Sequence, residues 1–399
     1  MDKLFIENLE LRGKRVLLRL DLNVPGDKSG AVTDSTRIEA ALPSIRYCLE
    51  QGAALVLCSH RGRPQGEHLP QMSLRPVARE LEEHLGRRIK MPDEDPRYII
   101  NDQAFELADK LRPGEILMLE NLRYEKREKA NDPHFAMRLG SLADLYVNDA
   151  FPVCHRVHAS VVGVPKFLPA AYGYQVKKEI DYLGRLQRNV ERPYIGILGG
   201  AKVSSKIGVI EAFLKKVDKL LIGGGLSYTF MAAVGRPIGQ SIYEPYYTAV
   251  AHEMMEDYPG KIVLAVDNYV VEEIGPDFEA ELVERIPPEM ESVDIGEQTR
   301  ELFAAEIAQA RTVFWNGPLG YFEDERFAAG TRFIAREVAK LKDKGAFTVV
   351  GGGDSAAAIR QAPDLNYDSF SFVSTGGGAS LEYVQGKVLP GLRALSDRG

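Results

Sequence analysis

The chain has 399 residues, of which 45% are hydrophobic and 27% are charged, and its formal net charge is −7. This length exceeds the range in which one hydrophobic core usually keeps growing, so two domains of similar size are expected. The negative balance argues against a nucleic-acid partner, which would require a basic face. The three cysteines, Cys48, Cys58 and Cys154, predict neither a disulfide framework nor a zinc site and favour a reducing compartment.

The opening segment, MDKLFIENLELRGKRV, carries acidic residues and lacks an uninterrupted apolar run. It is therefore not expected to be a signal peptide or a membrane span, and no later stretch has the length of a span. We expect a cytoplasmic protein without a membrane partner.

Short apolar runs that end in polar residues recur along the first half of the chain. We predict strands at residues 16–20, 54–58, 116–119 and 145–147. Segments of helical period follow them, and this alternation is typical of a parallel α/β sheet. Ligands bind beyond the carboxyl ends of such strands, so the residues that follow each strand are candidates for a site.

Several of those residues in the first half are cationic. The candidate set is Asp21, Asn23, Arg37, His60, Arg63, Arg123 and Arg156. A guanidinium group matches carboxylate and phosphate bidentately, so four converging arginines predict a site for a small, multiply anionic substrate. For any one of these arginines taken alone, a solvated surface charge is the better interpretation. Asp21 and Asn23 could instead satisfy the backbone of the turn DLNVPG.

A segment at residues 174–189 separates the two halves. Val176, Ile180, Leu183 and Leu186 fall near helical spacing among charged residues, and this pattern predicts a connecting helix. A surface helix belonging to one half would show the same periodicity, so that alternative stays open.

In the second half, strands are predicted at residues 194–198, 219–222, 262–266, 312–315, 347–350 and 369–373. Four of them end in glycine-bearing turns, at residues 199–200, 223–225, 351–353 and 375–378. Glycine lets the backbone approach a phosphate closely, and N–H groups at a helix start attract anions. The two halves are therefore predicted to bind different ligands.

The first glycine turn, in GGAKVSSK, is predicted to lead into a helix that begins near Val203. Lys202 and Lys206 would then lie four residues apart on one face of its first turns. Cations at that end oppose the helix dipole, which makes a purely structural role unfavourable. We predict that both lysines contact phosphate.

Asp354 follows the third glycine turn and is a candidate Mg²⁺ ligand, because Mg²⁺ typically takes one carboxylate together with phosphate oxygens and water. Asp354 or Ser355 could also cap a helix, and the two roles can coexist. The sequence contains no GxxxxGK[ST] motif, which excludes a Walker-type nucleotidase. Although GGGDSA matches GxGxxA formally, no acidic residue ends the following strand, and this disfavours a dehydrogenase.

The segment FWNGPLG could form a shaped wall beside a flat base, or it could be only a turn. Glu323, three residues further on, could accept ribose hydroxyls or be a surface charge.

Eight segments occur in one order from about Arg15 to Leu392: RVLLRLDLNVP, SHRGRP, LENLRY, NDAF followed by HR and HAS, GGAKVSSKI, FWNGPLG, GGGDS and VSTGGGASLEYVQGKVLPG. Together they closely resemble the phosphoglycerate kinase family. The resemblance implies an α/β fold of two Rossmann-like lobes, each a parallel sheet flanked by helices. It implies a phosphoglycerate-binding lobe at residues 1–173, a connecting helix at 174–189 and a nucleotide-binding lobe at 190–386, with 387–399 packing back on the first lobe.

The resemblance further implies reversible phosphoryl transfer between 1,3-bisphosphoglycerate and Mg-ADP, giving 3-phosphoglycerate and Mg-ATP. The candidate set from Asp21 to Arg156 would bind phosphoglycerate. The implied nucleotide residues are Gly200, Ala201, Lys202, Lys206, Asn316, Pro318, Glu323, Gly352, Gly353, Asp354 and Ser355, with Asp354 on Mg²⁺. Arg37 and Lys202 are expected to stabilise charge on the transferred group. A monomer is expected.

The chain departs from the usual family pattern at several positions. Pro152, Val153 and Cys154 stand where Gly and small residues precede His-Arg, and a proline removes one backbone donor from that turn. Arg61 stands at a usual Leu, Ser205 at a common Asp and Glu297 at a usual Pro. The cationic residues of both halves remain, so an active enzyme is expected. A regulatory protein that only binds nucleotide would not need the arginines.

Overall fold

The computed structural model describes residues 2–93, 98–188, 190–275 and 278–398. The chain forms two compact units. The first unit comprises Met1–Asp181 and Val388–Gly399, and the second comprises Tyr182–Lys387. The predicted lobes and connecting helix include residues 1, 94–97, 189, 276–277 and 399, which lie outside the described residues.

The first unit contains six strands: β1 (Arg15–Leu20), β2 (Ala54–Cys58), β3 (Ile89–Lys90), β4 (Ile116–Met118), β5 (Leu145–Asp149) and β6 (Ala170–Tyr172). They form one sheet in the order β3-β4-β2-β1-β5-β6, and every pairing is parallel. The parallel sheet and its four predicted strands are confirmed. The very short β3 and β6 were not predicted, because two or three residues carry too little periodicity.

The helices of the first unit are α1 (Thr36–Glu50), α2 (Arg75–Leu85), α3 (Asp102–Asp109), α4 (Lys126–Lys129), α5 (Pro133–Gly140) and α14 (Pro390–Arg393). Local chemistry sets several ends. The side chains of Asn101 and Asp132 accept the backbone N–H groups of Ala104 and Phe135, which starts α3 and α5. Gly86 ends α2 in the left-handed conformation.

The core of the first unit lies between its sheet and its helices. Leu18 of β1, Ile45 of α1 and Leu81 of α2 are fully buried in one cluster. The register aligns Leu20 with Asp149 and Arg19 with Cys58, so β1, β2 and β5 end at the same edge of the sheet. The residues that follow these strands are therefore held by a rigid, apolar base.

Helix α6 (Tyr174–Arg185) contains the division between the two units. It is shorter than the predicted 174–189, because residues 186–188 form a turn. Asp149 caps its start, since its Oδ1 accepts the N–H groups of Gln175 and Val176 at 2.8 and 3.1 Å.

The second unit contains a parallel sheet of β7 (Tyr194–Leu198), β8 (Lys219–Ile222), β9 (Ile262–Leu264), β13 (Thr312–Asn316), β14 (Phe347–Gly351) and β15 (Phe372–Ser374). Its order is β15-β14-β13-β7-β8-β9. An antiparallel sheet of β10 (Asn268–Val271), β11 (Glu281–Val283) and β12 (Glu291–Ile295) was not predicted.

Two of the predicted strands need correction. The strand predicted at 262–266 ends at Leu264. The strand predicted at 369–373 begins only at Phe372, because Tyr367–Ser369 form a 3₁₀ turn that the Asn366 side chain caps.

The helices of the second unit are α7 (Ile207–Leu214), α8 (Gly225–Ala233), α9 (Thr248–Asp257), α10 (Glu297–Ile307), α11 (Ala329–Asp343), α12 (Gly353–Gln361) and α13 (Gly378–Val384). Three of them begin after a glycine with positive φ: Gly224, Gly352 and Gly377 at 61°, 98° and 55°. Glycine adopts this conformation without steric cost, so these turns are sharp and free of side chains.

The sheet core of the second unit is aromatic. Trp315 is fully buried, and its Nε1 donates to the carbonyl of Gly317 at 2.8 Å. The rings of Phe213 and Phe314 stack with centroids 5.0 Å apart. No helix among the described residues of either unit is long and apolar enough to cross a bilayer.

Candidate functional site

Each six-stranded sheet reverses its strand order beside its central strand. Strands β2 and β5 flank β1 in the first unit, while β8 and β13 flank β7 in the second. Connections that leave adjacent strands in opposite directions open a crevice at the carboxyl edge, where ligands bind in such sheets. Candidate residues follow several strands of each sheet, so each unit has its own candidate site.

Asp21 and Arg37 form an ion pair at the end of β1. Arg37 Nη1 donates to Asp21 Oδ2, and the arginine side chain keeps 32% of its surface exposed. The other oxygen of this carboxylate, Oδ1, is buried and accepts no hydrogen bond from the described residues. A buried acceptor without a donor is costly, so this oxygen is suited to a ligand hydroxyl.

The turn after β2 is fixed from two sides. Asn23 Oδ1 accepts the N–H of Gly62 at 2.8 Å, and Arg123 Nη1 donates to the carbonyl of Gly62 at 2.8 Å. Gly62 has a φ of +64°, and an added Cβ would lie 2.6 Å from Met72 Sδ. Three candidate segments, those of Asn23, Gly62 and Arg123, therefore meet at one point.

His60 lies in this region as a neutral imidazole. Arg19 Nη2 is 3.1 Å from His60 Nδ1, and since a guanidinium only donates, the ring proton is assigned to Nε2. Burial, and then the charges of Arg19, Arg123 and Arg37, hold the pKa of His60 well below its ordinary value. The ring is therefore a neutral donor at physiological pH.

Five guanidinium groups of the first unit lie in one region, since four of them repel one another and Arg37 acts with Arg19 and Arg123 on His60. Burial first, and then repulsion from Arg19, Arg156 and Arg63, lower the pKa of Arg123 to about 10, against the attraction of Glu128. Arg63 and Arg156 are exposed. An anion bound among them would relieve this repulsion, and we call Arg19, Arg37, Arg63, Arg123 and Arg156 the arginine cluster.

Arg19 belongs to the arginine cluster but was not among the site residues predicted from the sequence. It lies within β1 and is 1% exposed, with its Nε donating to Ser160 Oγ at 3.0 Å. Ser160 in turn donates through its N–H and hydroxyl to Glu128 at 2.9 and 2.6 Å. An arginine inside the apolar run RVLLRL was the available signal, because a strand buried on both faces excludes charge unless it is paired.

His158 was also missed. Its Nδ1 is 3.8 Å from Glu128 Oε1. Burial first, and then the charges of Arg19, Arg123 and Arg156, lower the pKa of His158 to about 3. Burial raises the pKa of Glu128, against the attraction of Arg19. Two neutral imidazoles therefore lie among the arginines.

Glycine turns build the candidate site of the second unit. The N–H of Gly199 donates to the carbonyl of Asn316 at 2.9 Å, and that of Gly200 donates to the carbonyl of Pro318 at 2.9 Å. The N–H of Gly224 reaches the carbonyl of Leu319 at 3.0 Å. A Cβ on Gly199 would lie 1.9 Å from Pro318 O, so glycine is required there. We call residues 199–201, 223–225, 316–319 and 351–353 the glycine turns.

Lys206 is packed into these turns. Its Nζ donates to the carbonyl of Gly199 and, at 2.8 Å, to Asn316 Oδ1. Burial lowers its pKa to about 8, and the charge of Asp354 acts in the opposite direction. Asn316 also donates to the carbonyl of Gly351 at 2.7 Å, which joins Lys206 to the turn after β14.

The predicted helix start at Val203 is wrong, since α7 begins at Ile207 and Lys206 is its N-cap residue. Ser204 explains the difference, because its N–H and hydroxyl donate to the Glu244 carboxylate at 2.8 and 2.6 Å and hold the segment away from helical geometry. Lys202 lies in this irregular segment, exposed and four residues from Lys206 without sharing a helical face.

Asp354 and Gly353 lie exposed in the first turn of α12. The N-cap is Gly352 rather than Asp354 or Ser355. Ser355 is buried instead, and its Oγ accepts the N–H of Gly317 at 2.7 Å. No three carboxylate, imidazole or thiol groups of the described residues gather to hold a metal. A single exposed carboxylate fits Mg²⁺ that takes its remaining ligands from phosphate and water.

Ala201 belongs to the glycine turn 199–201, whereas Glu323 lies apart from the glycine turns. Both are exposed, and within the described part of the chain Glu323 makes no hydrogen bond or ion pair with the glycine turns.

Comparison with known proteins gives one family. A family model for phosphoglycerate kinase matches residues 6–387. The chain is 47% identical to a phosphoglycerate kinase from Chloroflexus aggregans over 402 residues, with 100% of both chains covered. It is 49% identical to one from Rubrobacter xylanophilus over 400 residues, covering 100% of this chain and 99% of the relative.

Solved structures of phosphoglycerate kinases have the same fold as this chain. A phosphoglycerate kinase from Coxiella burnetii has a TM-score of 0.85 at 37% identity, and one from Pyrococcus horikoshii has 0.84 at 32%. Each comparison covers 98% of both chains.

Proposed function

The chain belongs to the phosphoglycerate kinase family and is a phosphotransferase with a carboxyl acceptor, and we propose how its residues carry out that reaction. The reaction is reversible phosphoryl transfer between 1,3-bisphosphoglycerate and ADP, giving 3-phosphoglycerate and ATP. One observation carries the assignment of residues: in a protein whose net charge is −7, four guanidinium groups lie close enough to repel one another, and Arg37 acts with two of them on His60. That concentration of cations fits a small polyanion.

The first unit binds phosphoglycerate in this proposal. The arginine cluster pairs with the phosphate and carboxylate groups, and His60 donates as a neutral imidazole. The unpartnered Oδ1 of Asp21 accepts the substrate hydroxyl. Asn23 holds the turn at Gly62 through a hydrogen bond, and Arg63 follows Gly62 directly in the chain.

The second unit binds the nucleotide. The nucleotide phosphates are surrounded by Gly200, Ala201, Asn316, Pro318 and the turn that contains Gly352, Gly353, Asp354 and Ser355. Glu323 accepts hydrogen bonds from the ribose hydroxyls. Lys206, with a pKa near 8, regains its full charge when a phosphate replaces part of its lost hydration. Asp354 is the protein ligand for Mg²⁺, which when bound neutralises nucleotide phosphate charge.

Catalysis rests on position and charge rather than on proton transfer. The acceptor is a carboxylate in one direction and an ADP oxygen in the other, and neither needs a general base near neutral pH. Arg37 and Lys202 stabilise charge on the transferred group, whose donor and acceptor oxygens must lie nearly in line. Lys202 is exposed within an irregular segment, so its charge is available to a ligand.

The test is a coupled assay with 3-phosphoglycerate and Mg-ATP. We predict that Lys202→Ala lowers kcat by roughly 10² to 10³, the usual effect of losing one preorganised electrostatic donor. The Kd for ATP should change far less, because Lys206 and the glycine turns, including Gly200, remain intact.

Lys215→Ala is the matched control, since Lys215 is also exposed in the second unit and lies outside the glycine turns. It should retain the wild-type kcat. A Lys202→Ala enzyme within a few-fold of wild type would remove Lys202 from the mechanism, and an inactive wild type would refute the activity itself.

We further propose a monomer in the cytoplasm that binds neither nucleic acid nor membrane. The acidic net charge supports the absence of a nucleic-acid partner. The three cysteines are buried and free, which suits a reducing compartment.

A further inference from the structure

Arg61 is a buried cation of the first unit to which the proposed mechanism gives no role. It follows His60 directly and is 3% exposed. Its Nε donates to the carbonyl of Val24 at 3.2 Å, and its Nη2 to that of Pro25 at 3.4 Å. Its Nη1 donates to the carbonyl of Gly30 at 2.7 Å and to that of Ser73 at 3.1 Å.

These acceptors belong to one turn and to the segment that precedes α2. The turn covers residues 24–33 and is closed by a bridge between Gly26 and Val32. Asp27 organises its tip, because its Oδ1 accepts the N–H groups of Ser29 and Ala31 at 2.8 and 3.0 Å. We call residues 24–33 the anchored turn, since the guanidinium binds both of its arms.

Gly26 provides the space that the guanidinium fills. A Cβ built on Gly26 would lie 2.0 Å from Arg61 Nη2 and 3.1 Å from its Cζ. The next close atom would be the carbonyl oxygen of Ala31 at 2.9 Å. The two residues therefore fit each other, and a side chain at position 26 is incompatible with the observed position of Arg61.

The anchored turn lies between two substrate residues in the chain, Asn23 before it and Arg37 after it. Arg61 itself lies between His60 and Arg63. Asn121 fixes its backbone, accepting the N–H of Arg61 at 3.2 Å and donating to its carbonyl at 2.7 Å. One guanidinium thus connects the segment that carries Asn23 and Arg37 to the turn that carries His60 and Arg63.

Burying this charge is costly unless every donor finds a partner. Within the described residues no carboxylate lies within ion-pair distance of Arg61, and its bonds go to backbone carbonyls. Directed bonds to four carbonyls fix a geometry more narrowly than an apolar side chain of similar size does. This arrangement suits positioning better than general stability.

We propose that Arg61 is a positioning residue for 3-phosphoglycerate, which sets the distance between Asn23 and Arg37 on one side and His60 and Arg63 on the other. This inference rests on the proposed function of the arginine cluster. It predicts an effect on one substrate only, because the glycine turns belong to the other unit.

Arg61→Leu tests it by calorimetry with 3-phosphoglycerate and, separately, with Mg-ATP. The Kd for 3-phosphoglycerate should rise about tenfold, as expected for losing directed hydrogen bonds that hold the site. The Kd for Mg-ATP should stay within about twofold. Arg138→Leu is the matched control, because Arg138 also donates to a backbone carbonyl of the first unit, that of Ile100 at 2.9 Å, and should leave both Kd values unchanged.

Gly26→Ala supplies a second measurement that does not depend on Arg61→Leu folding well. Alone, it displaces the guanidinium and should weaken 3-phosphoglycerate binding as Arg61→Leu does. In the Arg61→Leu background, Gly26→Ala should cause much less additional weakening of 3-phosphoglycerate binding. The small additional effect would come from the contact between the new Cβ and the carbonyl of Ala31.

Equal weakening by Gly26→Ala in both backgrounds would overturn the inference. So would an Arg61→Leu protein that binds 3-phosphoglycerate like wild type, or one that loses affinity for both ligands equally. A wild-type protein that fails to bind 3-phosphoglycerate would instead contradict the proposed function.

Discussion

The two units use the same sheet architecture but present different chemistry at the carboxyl edge. In the first unit, long cationic side chains from β1, α1 and the loops after β2, β4 and β5 lie in one region, and burial and repulsion lower the pKa of Arg123 to about 10. In the second, backbone turns meet around Gly199, Gly200 and Gly224, with Lys206 packed among them. The first unit supplies charge through side chains, and the second supplies close backbone approach.

This difference indicates which structural feature each site requires for ligand binding. A site made of several guanidinium groups shares its charge among members that can partly replace one another. A site made of turns depends on the absence of side chains, so one added Cβ obstructs it. Two substitutions and one pH titration distinguish a site that depends on shared charge from a site that depends on empty space.

The largest effect is expected from Gly352→Ala in the second unit. Gly352 has a φ of +98°, and an added Cβ would lie 2.7 Å from Asn316 Nδ2. Strain and collision together should lower the free energy of unfolding by roughly 2 to 3 kcal/mol. Because Asn316 also binds Lys206, nucleotide affinity should fall with it.

Gly345→Ala is the control for Gly352→Ala, since Gly345 has a φ of +80° but nothing lies within 4 Å of an added Cβ. It should cost about 1 kcal/mol through strain alone and leave nucleotide binding unchanged. Denaturant unfolding and calorimetry measure both quantities. Equal effects of the two substitutions would show that the turn needs only the backbone conformation and not the empty space.

A smaller effect is expected from pH on the first unit. The pKa of His158 is about 3 in the folded protein, whereas an unfolded imidazole titrates near 6.5. Below about 6.5 the unfolded state therefore binds the proton and the folded state does not. Above that pH this residue neither stabilises nor destabilises the fold, and as pH falls from 6.5 toward 3 it destabilises the fold progressively.

The measurement is a proton NMR titration of the His158 ring, assigned by comparison with His158→Gln. Its resonances should stay constant between about pH 8 and pH 5. A sigmoidal shift with a midpoint near 6.5 would mean that the arginine cluster does not exclude a further positive charge from this site.

The smallest effect is expected from Pro152→Gly. Pro152 lies at the first turn of a 3₁₀ helix, Phe151–Val153, where its missing N–H costs no intrahelical bond. Glycine would restore a donor beside the arginine cluster, so the Kd for 3-phosphoglycerate should fall slightly or stay the same. Marked weakening in calorimetry would show that the proline itself shapes the site.

Pro165→Gly serves as the comparison for Pro152→Gly, because Pro165 occupies the equivalent position in the 3₁₀ helix Val164–Lys166. It should alter stability without altering substrate binding.

The sequence alone determined the two parallel sheets, because alternating apolar runs and helical segments leave few other folds. It also placed candidates such as Asp21, His60 and Gly200 just beyond the ends of strands. Collinear motifs such as SHRGRP and GGGDS also indicated the family before any geometry. Such features are local, and a chain of this length displays them directly.

Tertiary structure alone decided which polar residues act together. Arg19 and His158 join the site through Ser160 and Glu128, contacts between segments far apart in the chain, and no periodicity encodes such pairs. The start of α7 likewise depends on Glu244, which holds Ser204 out of the helix from 40 residues away. Local patterns specify elements, but burial and the partners of each charge arise only when those elements pack.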